Sequence, residues 1–494
     1  MPSIKINQIN KTNQTPASST TVQMTAIIGA ATKGALNTPT ECYTLNSFYS
    51  TFGSVPPAFN TLSWIAAKKL LLAGMPVLYT RIAKYEEEAT GIATVNLNSG
   101  ESVTTVRVDA NSPGTWGNSI TVEVAAPAST GLFTLKVYYG GELVSQLSCS
   151  TVSTDSNYVD KIASNYLTLS DVRTSGKGTA VQMTATPSPV SLTSGSDGSE
   201  MADSDIVSAA APFISNVPPN NALLADKTLY EFALFVIPGL SVDGYEKGST
   251  TAAIDFASLR DDCVVILDPS QSIVTSGDAI QWAQGIVSER CTTFFPWVKM
   301  YVEDYGESMW LPPSIAYLEA VATAQRTYSP WYAVAGPTRG ALPNVSETAV
   351  QLGQGVSENL NDALINPISK YRNYGYVING NNILNSAATS RTYSQLSVRM
   401  AINAAVSSIF SICQSLTFQP NTSVLWAEFT GRVTQVLDGI KATEGITKYE
   451  VTMDDTTMTA ADRNNGRVRG VVKIWPTLAA EEFVIDFEIA NETV

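Results

Sequence analysis

The spacing of hydrophobic residues along this chain takes three forms, and the first of them predicts a parallel sheet. Apolar runs of strand length alternate with helical stretches, and the runs are residues 22–29, 76–82, 232–237, 263–267 and 293–298. The first two runs flank a helical stretch at 60–73, which is the pattern of a strand, a crossover helix and a parallel strand. Continuous apolar runs are typical of strands buried on both faces. We therefore expect an α/β core with a mostly parallel sheet, made of residues 21–85 and 201–378.

The second form lies between residues 86 and 200, where short segments rich in Thr and Val replace the helical period. Turns of Gly, Ser and Pro separate these segments, which predicts a β-rich domain inserted into the core. Gly140 and Gly141 fall between two such segments and predict a tight hairpin turn. Residues 193–199 are Thr, Ser, Gly and Asp only, a composition that predicts a flexible linker at the exit of the insertion.

The third form is found in residues 379–480, where two helical periods precede short strands. Leu396, Met400, Ile409 and Cys413 share one stripe of a first helix, and a second helix is expected after Thr422. Strand patterns follow at 449–451 and 467–475. Two helices packed on a small antiparallel sheet are the simplest way to bury both patterns, so we expect an α+β C-terminal domain.

Residues 481–494 begin with a strand whose apolar side chains occupy every second position. These side chains are Phe483, Ile485, Phe487 and Ile489. They lie on one face, because successive side chains of a strand point to opposite sides. No later segment covers the edge of this strand, and an uncovered apolar edge strand promotes aggregation of a monomer. We expect the strand to be an arm that pairs with another copy of the chain.

Residues 1–20 are mostly Ser, Thr, Asn and Gln, and two interpretations remain open for them. A polar segment of this kind is commonly a disordered tail. Alternatively it is an N-terminal arm that adds a strand to a neighbouring copy, with Ile4 and Ile6 on one face. Each backbone hydrogen bond contributes roughly 0.5–1.5 kcal/mol, about what ordering one residue costs. Burial of the isoleucines, at roughly 1.5–3 kcal/mol each, must therefore decide between the two.

Composition excludes several classes of protein. The 494 residues include 44% hydrophobic and 15% charged residues, which is enough apolar surface for several buried cores. A formal net charge of −14 argues against a nucleic acid partner. The chain has no histidine and five cysteines without a CxxC pair, so no metal or cofactor is expected. The first residues resemble no signal sequence, and no apolar run of membrane-spanning length stands out, so no membrane insertion is expected.

Two groups of residues are candidates for chemistry, and each has a structural alternative. Asp268 ends a predicted parallel strand, where carboxylates often bind metal or substrate, and Asp261 and Asp262 lie nearby in sequence. Without a base, nucleophile or basic anchor, a turn at Asp268 and a solvated helix end are the simpler interpretations. Trp331 and Tyr332 are compatible with a sugar-binding face, although aromatic residues more commonly form a core or a subunit contact.

Several motifs, taken in their order along the chain, resemble the tail sheath proteins of contractile bacteriophage tails and related contractile injection particles. The motifs are Ile27-Ile28-Gly29 with Lys33-Gly34 and Pro39, Ser112-Pro113-Gly114-Thr115-Trp116-Gly117-Asn118, Ser196-Asp197-Gly198, Asp262-Cys263, Asp268-Pro269, Phe295-Pro296-Trp297, Pro312-Pro313-Ser314 and Trp331-Tyr332-Ala333-Val334-Ala335-Gly336-Pro337. Ala479-Ala480-Glu481-Glu482-Phe483 stands where the family has a proline before an acidic and aromatic step. Without that proline, the resemblance does not predict the conformation of this loop.

The resemblance implies a structural subunit, without enzymatic activity, that polymerises helically around an inner tube and contracts. Terminal strand-exchange arms would link the subunits, the inserted domain would lie outside, and the C-terminal domain would face the tube. Implied partners are other copies of the chain, the tail tube protein, and baseplate and tail terminator proteins. The implied location is the virion, after assembly in the bacterial host cytoplasm. Alternatives are a sheath of a bacteriocin or secretion system and, outside this family, an α/β enzyme using Asp268.

For the tube contact, the resemblance directs attention to the second C-terminal helix. Four charged residues are predicted near its exposed face, and they are Glu428, Arg432, Asp438 and Lys441. The alternative is that these residues form an ordinary solvated helix face.

Overall fold

The computed structural model of the chain describes residues 23–86, 90–100, 103–240, 250–459, 461–462 and 465–481. The strands are β1 (Thr25–Gly29), β2 (Pro39–Cys42), β3 (Val77–Arg81), β4 (Thr94–Ser99), β5 (Val103–Ala110), β6 (Ile120–Ser129), β7 (Leu132–Tyr139), β8 (Glu142–Ser150), β9 (Leu167–Asp171), β10 (Val190–Ser191), β11 (Leu234–Val236), β12 (Val264–Leu267), β13 (Cys291–Phe295), β14 (Val298–Val302), β15 (Glu307–Leu311), β16 (Val345–Thr348), β17 (Asn366–Tyr371), β18 (Gly375–Ile378), β19 (Ile446–Thr452) and β20 (Val471–Pro476). The helices are α1 (Leu45–Phe52), α2 (Leu62–Leu72), α3 (Asp203–Ile214), α4 (Thr250–Leu259), α5 (Ser276–Ala283), α6 (Pro313–Ala324), α7 (Gly336–Arg339), α8 (Gln354–Asp362), α9 (Leu396–Leu416) and α10 (Ser423–Ala442).

An eight-stranded sheet in the order β18-β17-β13-β12-β11-β1-β3-β2 forms the centre of the molecule. Its six inner strands are parallel, which confirms the expected parallel sheet. Ile27 of β1 packs with helices α1, α2 and α6 on one face, whereas Ala26 and Ile28 pack with α3, α4 and α5 on the other. Both faces are therefore covered, as the continuous apolar runs require. The outermost strands β2 and β18 are antiparallel to their neighbours, which the sequence did not indicate.

The predicted strand at residues 293–298 is in fact two strands in different sheets. β13 ends at Phe295, and β14 begins at Val298 in a three-stranded antiparallel sheet ordered β15-β14-β16. Pro296 lies between them, and it has no N–H group to continue the hydrogen bonding of a central strand. The prediction of one continuous strand was therefore wrong.

Two antiparallel sheets occupy the region between β4 and β10. β9-β5-β4 and β10-β6-β7-β8 enclose one hydrophobic cluster that includes Trp116, Val122 and Leu135. The turn between β7 and β8 contains the two predicted glycines, with φ of 60° at Gly140 and 89° at Gly141. Both values lie in the region where glycine is unstrained, which explains the tight hairpin.

The segment 193–199 is held at several points and is not the flexible linker that its composition indicated. The backbone N–H of Thr193 donates to the carbonyl of Thr94, and that of Ser199 donates to Lys84. Asp197 accepts hydrogen bonds from the backbone and hydroxyl of Thr115, at 2.8 and 3.1 Å. These partners are about 80 or more residues away in sequence, so local composition could not reveal them.

The C-terminal helices join the core to a small hairpin. Leu396 and Met400 at the start of α9 pack in the core cluster, whereas Ile409 and Ile412 pack against α10. By length and composition alone, α9 is apolar enough to cross a membrane, contrary to the expectation that no segment would be. Over half of it is buried by the rest of the chain, which is also typical of a core helix.

Candidate assembly surface

The hairpin of β19 and β20 is an incomplete sheet in the part of the chain that the structure describes. The two strands pair antiparallel, with Tyr449 opposite Ile474 and Val451 opposite Val472, and neither has a second described partner. These four side chains face α10 and its hydrophobic cluster, yet all of them remain half-buried. Two-stranded sheets are marginally stable alone. The hairpin therefore offers open edges and an apolar layer that further strands would complete.

The opposite face of the hairpin is exposed and carries mixed charge. Lys448 lies 4.5 Å from the centre of the Trp475 ring and donates a 2.6 Å hydrogen bond to Glu450. This hydrogen bond lowers the pKa of Glu450 from its ordinary value. Lys473 approaches the same carboxylate at 3.8 Å. This face is therefore stabilised by side-chain contacts of its own, and the strand edges remain the uncovered part.

Both ends of the described chain lie on the same side of the large sheet, where its parallel strands begin. Gln23 precedes the amino end of β1, and its backbone N–H donates to the side chain of Gln325. At the other end, Ala479 contacts Gln395, which bridges to Asn382 just after β18. β18 runs antiparallel to β17, so its carboxyl end meets the amino ends of the parallel strands. The two segments thus leave the core on one side.

Residues 477–481 cross from the hairpin back to the core. The carboxamide of Gln395 donates to the Ala479 carbonyl at 3.1 Å and accepts from the Ala479 N–H at 3.0 Å. The guanidinium of Arg391 donates to the Glu481 carboxylate at 3.1 and 2.5 Å. We call Arg391, Gln395, Ala479 and Glu481 the C-terminal clamp. It borders an open groove of about 1390 Å³ between the core and the C-terminal helices.

The six apolar residues predicted for the arms lie outside the described residues. They are Ile4, Ile6, Phe483, Ile485, Phe487 and Ile489. Their pairing therefore stays a prediction.

The four charged residues predicted on α10 do not form one cluster. Arg432 donates to Glu428 at 2.5 Å and to the Ser415 hydroxyl of α9 at 3.0 Å. Asp438 instead accepts a 2.5 Å hydrogen bond from Tyr449 in β19, and Lys441 lies 6.0 Å from the centre of the same ring. At 3.6 residues per turn the two pairs point to different sides of the helix. One pair lies beside α9 and the other beside the hairpin.

Asp268 caps a helix. Its carboxylate accepts from the backbone N–H of Gly239 at 3.0 Å and from the backbone and hydroxyl of Ser314 at 3.0 and 2.6 Å. Ser314 lies in the first turn of α6, where unpaired N–H groups favour an anion. Burial raises the pKa of Asp268 to about 6, although the hydrogen bonds from Gly239 and Ser314 oppose the shift. The carboxylate is 2% exposed, so its contacts are those of a structural group.

The neighbouring aspartates do not join Asp268 in a site. Asp262 pairs with Arg260 at 2.6 Å, and Asp261 pairs with Lys227. Arg260 is fully buried and also donates to the carbonyls of Leu224 and Tyr230. Among the described residues, no three Cys, Asp or Glu side chains come together in a way that could hold a metal ion.

Trp331 and Tyr332 join the core to the end of α10. The indole N–H of Trp331 donates to the Thr443 carbonyl at 2.8 Å, and the Tyr332 hydroxyl donates to Glu444 at 3.0 Å. Both side chains are half-buried by these contacts. Their polar groups are hydrogen-bonded within the chain. This supports the interpretation of the two aromatic residues as contact residues and argues against a sugar-binding face.

No pattern in the sequence predicted the C-terminal clamp. In the sequence, Gln395 is a polar residue just before a helical period, and Ala479 is one of two adjacent alanines in a motif where the family has a proline. A proline at position 479 would lose this contact, because the Ala479 N–H is donated to Gln395 and proline has no N–H.

The chain is similar in sequence to tail sheath proteins of bacteriophages. No family model matches the chain. Over 261 residues it is 23% identical to the tail sheath protein of Enterobacteria phage T4, covering 49% of this chain and 39% of that protein. Over 226 residues it is 25% identical to the tail sheath protein of Vibrio phage KVP40, covering 41% and 33%. The chain thus matches less than half the length of these relatives.

Solved structures share the fold over nearly the whole chain. A sheath tail protein from Listeria innocua superposes with a TM-score of 0.61 at 14% identity, covering 92% of this chain and 95% of that one. The helical sheath of the anti-feeding prophage in its contracted state superposes with a TM-score of 0.53 at 14% identity, covering 99% and 98%. The matches in sequence and fold confirm the resemblance to tail sheath proteins that the motif order indicated.

Proposed function

We propose that this chain, a relative of tail sheath proteins, is the structural subunit of a contractile sheath. Copies of it polymerise helically around an inner tube, and contraction of the polymer drives the tube through a target cell envelope. The observation that carries the proposal is the β19–β20 hairpin, whose edges are open and whose apolar layer is half-covered in the described residues. Such a sheet is completed by strands from other copies.

The arms of the chain supply these strands in the proposal. Both described ends leave the core on the side of the large sheet where its parallel strands begin. The apolar residues of the terminal segments, Ile4 and Ile6 at one end and Phe483 and Ile485 at the other, would face the half-buried layer of a neighbouring hairpin. An interface in which one copy donates and the next accepts generates an open helical polymer when the rotation between copies does not close into a ring.

The positions of the remaining parts in the proposal follow from the resemblance to tail sheath proteins. The inserted sheets, within residues 86–200, lie on the outside, and residues 379–480 face the tube. We assign the tube contact to the exposed charges of α10, with Glu428 and Arg432 on one side and Asp438 and Lys441 on the other. Further partners are the tail tube protein, and baseplate and terminator proteins at the sheath ends. The particle is a virion, or a related injection machine, assembled in a bacterial cytoplasm.

Contraction follows from two packings of one subunit, of which the contracted packing has the lower free energy. Assembly on the tube and baseplate holds the extended packing until release at the baseplate. The subunits then rearrange in sequence while the arms keep neighbours attached. No nucleotide is consumed. Asp268 is hydrogen-bonded to backbone and hydroxyl groups of its own chain. These contacts support a structural role for Asp268 over the alternative of an α/β enzyme that uses its carboxylate.

Electron microscopy of the purified full chain tests the proposal. A sheath subunit at high concentration forms long tubes of regular diameter in negative stain. An α/β enzyme instead elutes as a small, monodisperse oligomer at every concentration. The second result, at low and moderate salt alike, would overturn the proposal.

A further inference from the structure

The C-terminal clamp holds the tail of the chain on the core, although the preceding strand belongs to the hairpin. Residues 477–481 follow β20 directly, and the N–H of Thr477 still donates to Gly445 beside that strand. Two residues later, Ala479 has both its N–H and its carbonyl bound to Gln395. Glu481 then reaches Arg391. Within five residues the chain therefore passes from hydrogen bonds beside the hairpin to hydrogen bonds with the core.

The two residues that hold the tail are themselves bound to the large sheet. Gln395 is 2% exposed, and its neighbour Leu396 donates its N–H to the Asn381 carbonyl at 2.9 Å. Arg391 donates to the side chain of Asn382 at 3.0 Å. The Asn382 backbone in turn donates to Asn366 of β17 at 2.6 Å. A continuous series of hydrogen bonds thus joins the tail to the parallel sheet.

The same pairing of a carboxamide with one backbone unit occurs three more times among the described residues. Asn366 pairs in this way with Asn382 inside the core, and the other two pairings lie where a segment passes between parts of the molecule. Asn118 binds the N–H and carbonyl of Gly195 at 2.8 and 2.9 Å, where the inserted sheets end. Asn60 binds those of Met201 at 2.9 and 2.8 Å, where the chain re-enters the core. A carboxamide offers one donor and one acceptor side by side, as a neighbouring strand does. The pairing therefore fastens an isolated extended residue without a full strand.

We infer that the C-terminal clamp sets the point and direction at which the C-terminal arm leaves the subunit. Glu481 is the first residue of the predicted terminal strand, so the clamp lies at the root of that arm. An arm held there transmits tension from a neighbouring copy to the eight-stranded sheet. Without the clamp, the tension would fall on the two-stranded hairpin alone. This inference rests on the proposed function, since it assigns a role to the tail within the polymer.

Within the clamp, Gln395 and Ala479 carry more of the effect than the ion pair. Arg391 and Glu481 have side chains 42% and 38% exposed, so water and salt weaken their attraction. The hydrogen bonds between Gln395 and Ala479 are partly buried, because Gln395 is almost inaccessible to water, so water weakens them less. Gln395 is therefore a positioning residue for the arm, and Ala479 is the residue that it positions.

Two variants remove the clamp from opposite sides, and a third provides a matched control. Gln395→Met keeps the length of the side chain and removes both hydrogen bonds. Ala479→Pro leaves Gln395 intact and removes the donated N–H. Asn118→Ala removes a pairing of the same kind at the inserted sheets, away from the tail. Hydrogen exchange of the unpolymerised full chain and the concentration at which tubes form are measured for all three.

We expect the amide of residue 479 in Gln395→Met, and the neighbouring amides in both clamp variants, to exchange roughly tenfold faster than in the wild type. Both variants should need at least several-fold higher concentration to form tubes, whereas Asn118→Ala should match the wild type. Tubes at the wild-type concentration despite faster exchange would overturn the inference, and so would unchanged exchange. If the wild type and the control also form no tubes, the proposed function itself fails.

Discussion

The ammonium group of Lys33 lies 4.7 Å from the centre of the Trp116 ring, and this contact joins the core to the inserted sheets. Hydrogen bonds surround it. Arg81, at the end of β3, donates to the carbonyls of Gly34 and Pro113, both at 2.7 Å. The Gly34 N–H donates to the Ser112 hydroxyl at 3.0 Å. The joint is therefore built from several directions, and we expect the core and the inserted sheets to move as one body.

Removing the charge from this joint should weaken it by a measurable amount. Lys33→Met keeps most of the side-chain volume and loses the cation–π contact, which is worth about 1–2 kcal/mol at a half-buried site. Urea unfolding of the unpolymerised chain should show this loss. Lys370→Met is the control, because Lys370 lies 5.5 Å from the Tyr376 ring within one sheet of the core. An equal or larger loss in the control would contradict a special role for the joint.

Asp268 should make the stability of the chain depend on pH. Burial raises its pKa to about 6 from the ordinary 3.8, so the folded chain binds its proton more tightly than the unfolded chain does. That contribution to stability is complete below pH 3.8 and is lost as the pH rises through 6, a change of roughly 2–3 kcal/mol. In Asp268→Asn this dependence should vanish. Unfolding free energies of both proteins at pH 4 and pH 7 check it, and parallel curves would contradict the assignment.

A buried ion pair in the inserted sheets should respond to acid in the opposite sense. Burial alone raises the pKa of Asp171, but hydrogen bonds from Arg173 at 2.9 and 2.6 Å, with others, hold it well below its usual range. Its contribution is present above pH 3.8 and is lost as the pH falls. Asp171→Asn leaves the Arg173 guanidinium buried without its counter-charge, which should cost about 3–5 kcal/mol in chemical unfolding at pH 7.

Asp109→Asn is the matched control for this buried pair. Asp109 pairs with Arg107 at 2.7 Å in the same sheet, but the Arg107 side chain is 45% exposed. Loss of this exposed pair should cost no more than about 1 kcal/mol. Similar losses for Asp171→Asn and Asp109→Asn would show that burial does not decide the strength of the pair.

The proposed tube contact makes a prediction about charge. Glu428→Lys and Lys441→Glu reverse charges on the two sides of α10, so each should reduce co-assembly with the tube protein several-fold, most strongly at low salt. Sheath polymers formed without a tube should be unaffected. Glu142→Lys, on the exposed strand β8, is the control and should co-assemble normally. Normal co-sedimentation of both α10 variants with tubes would rule out this helix as the tube contact.

The sequence predicted those parts of the fold in which local pattern and burial agree. Runs such as 232–237 and 263–267 are apolar throughout because both faces of β11 and β12 are buried. The hairpin at Gly140 and Gly141 followed from the backbone conformation that only glycine adopts easily. In each case the physical cause lies in the residues of the element itself.

Features that depend on distant partners were not predicted. The segment 193–199 was expected to be flexible, but Asp197 and Gly195 find partners in Thr115 and Asn118. The preferred interpretation of Asp268 as a turn residue did not include its contact with Ser314, which lies 46 residues later. The clamp at Gln395 and Ala479 is of the same kind, since 84 residues separate its members. The composition of a segment does not reveal which distant residues will bind it, because the fold determines those contacts.

The most direct test of strand exchange is tube formation by two truncated chains, one without residues 1–20 and one without the last ten residues. The account predicts that each truncated chain is folded, with the circular dichroism and cooperative unfolding of the full chain, but remains unpolymerised where the full chain forms tubes. Mixing the two truncated chains should give at most short assemblies, because each lacks one arm. Tubes of normal length from both truncated chains, at the concentration that the full chain requires, would contradict the account.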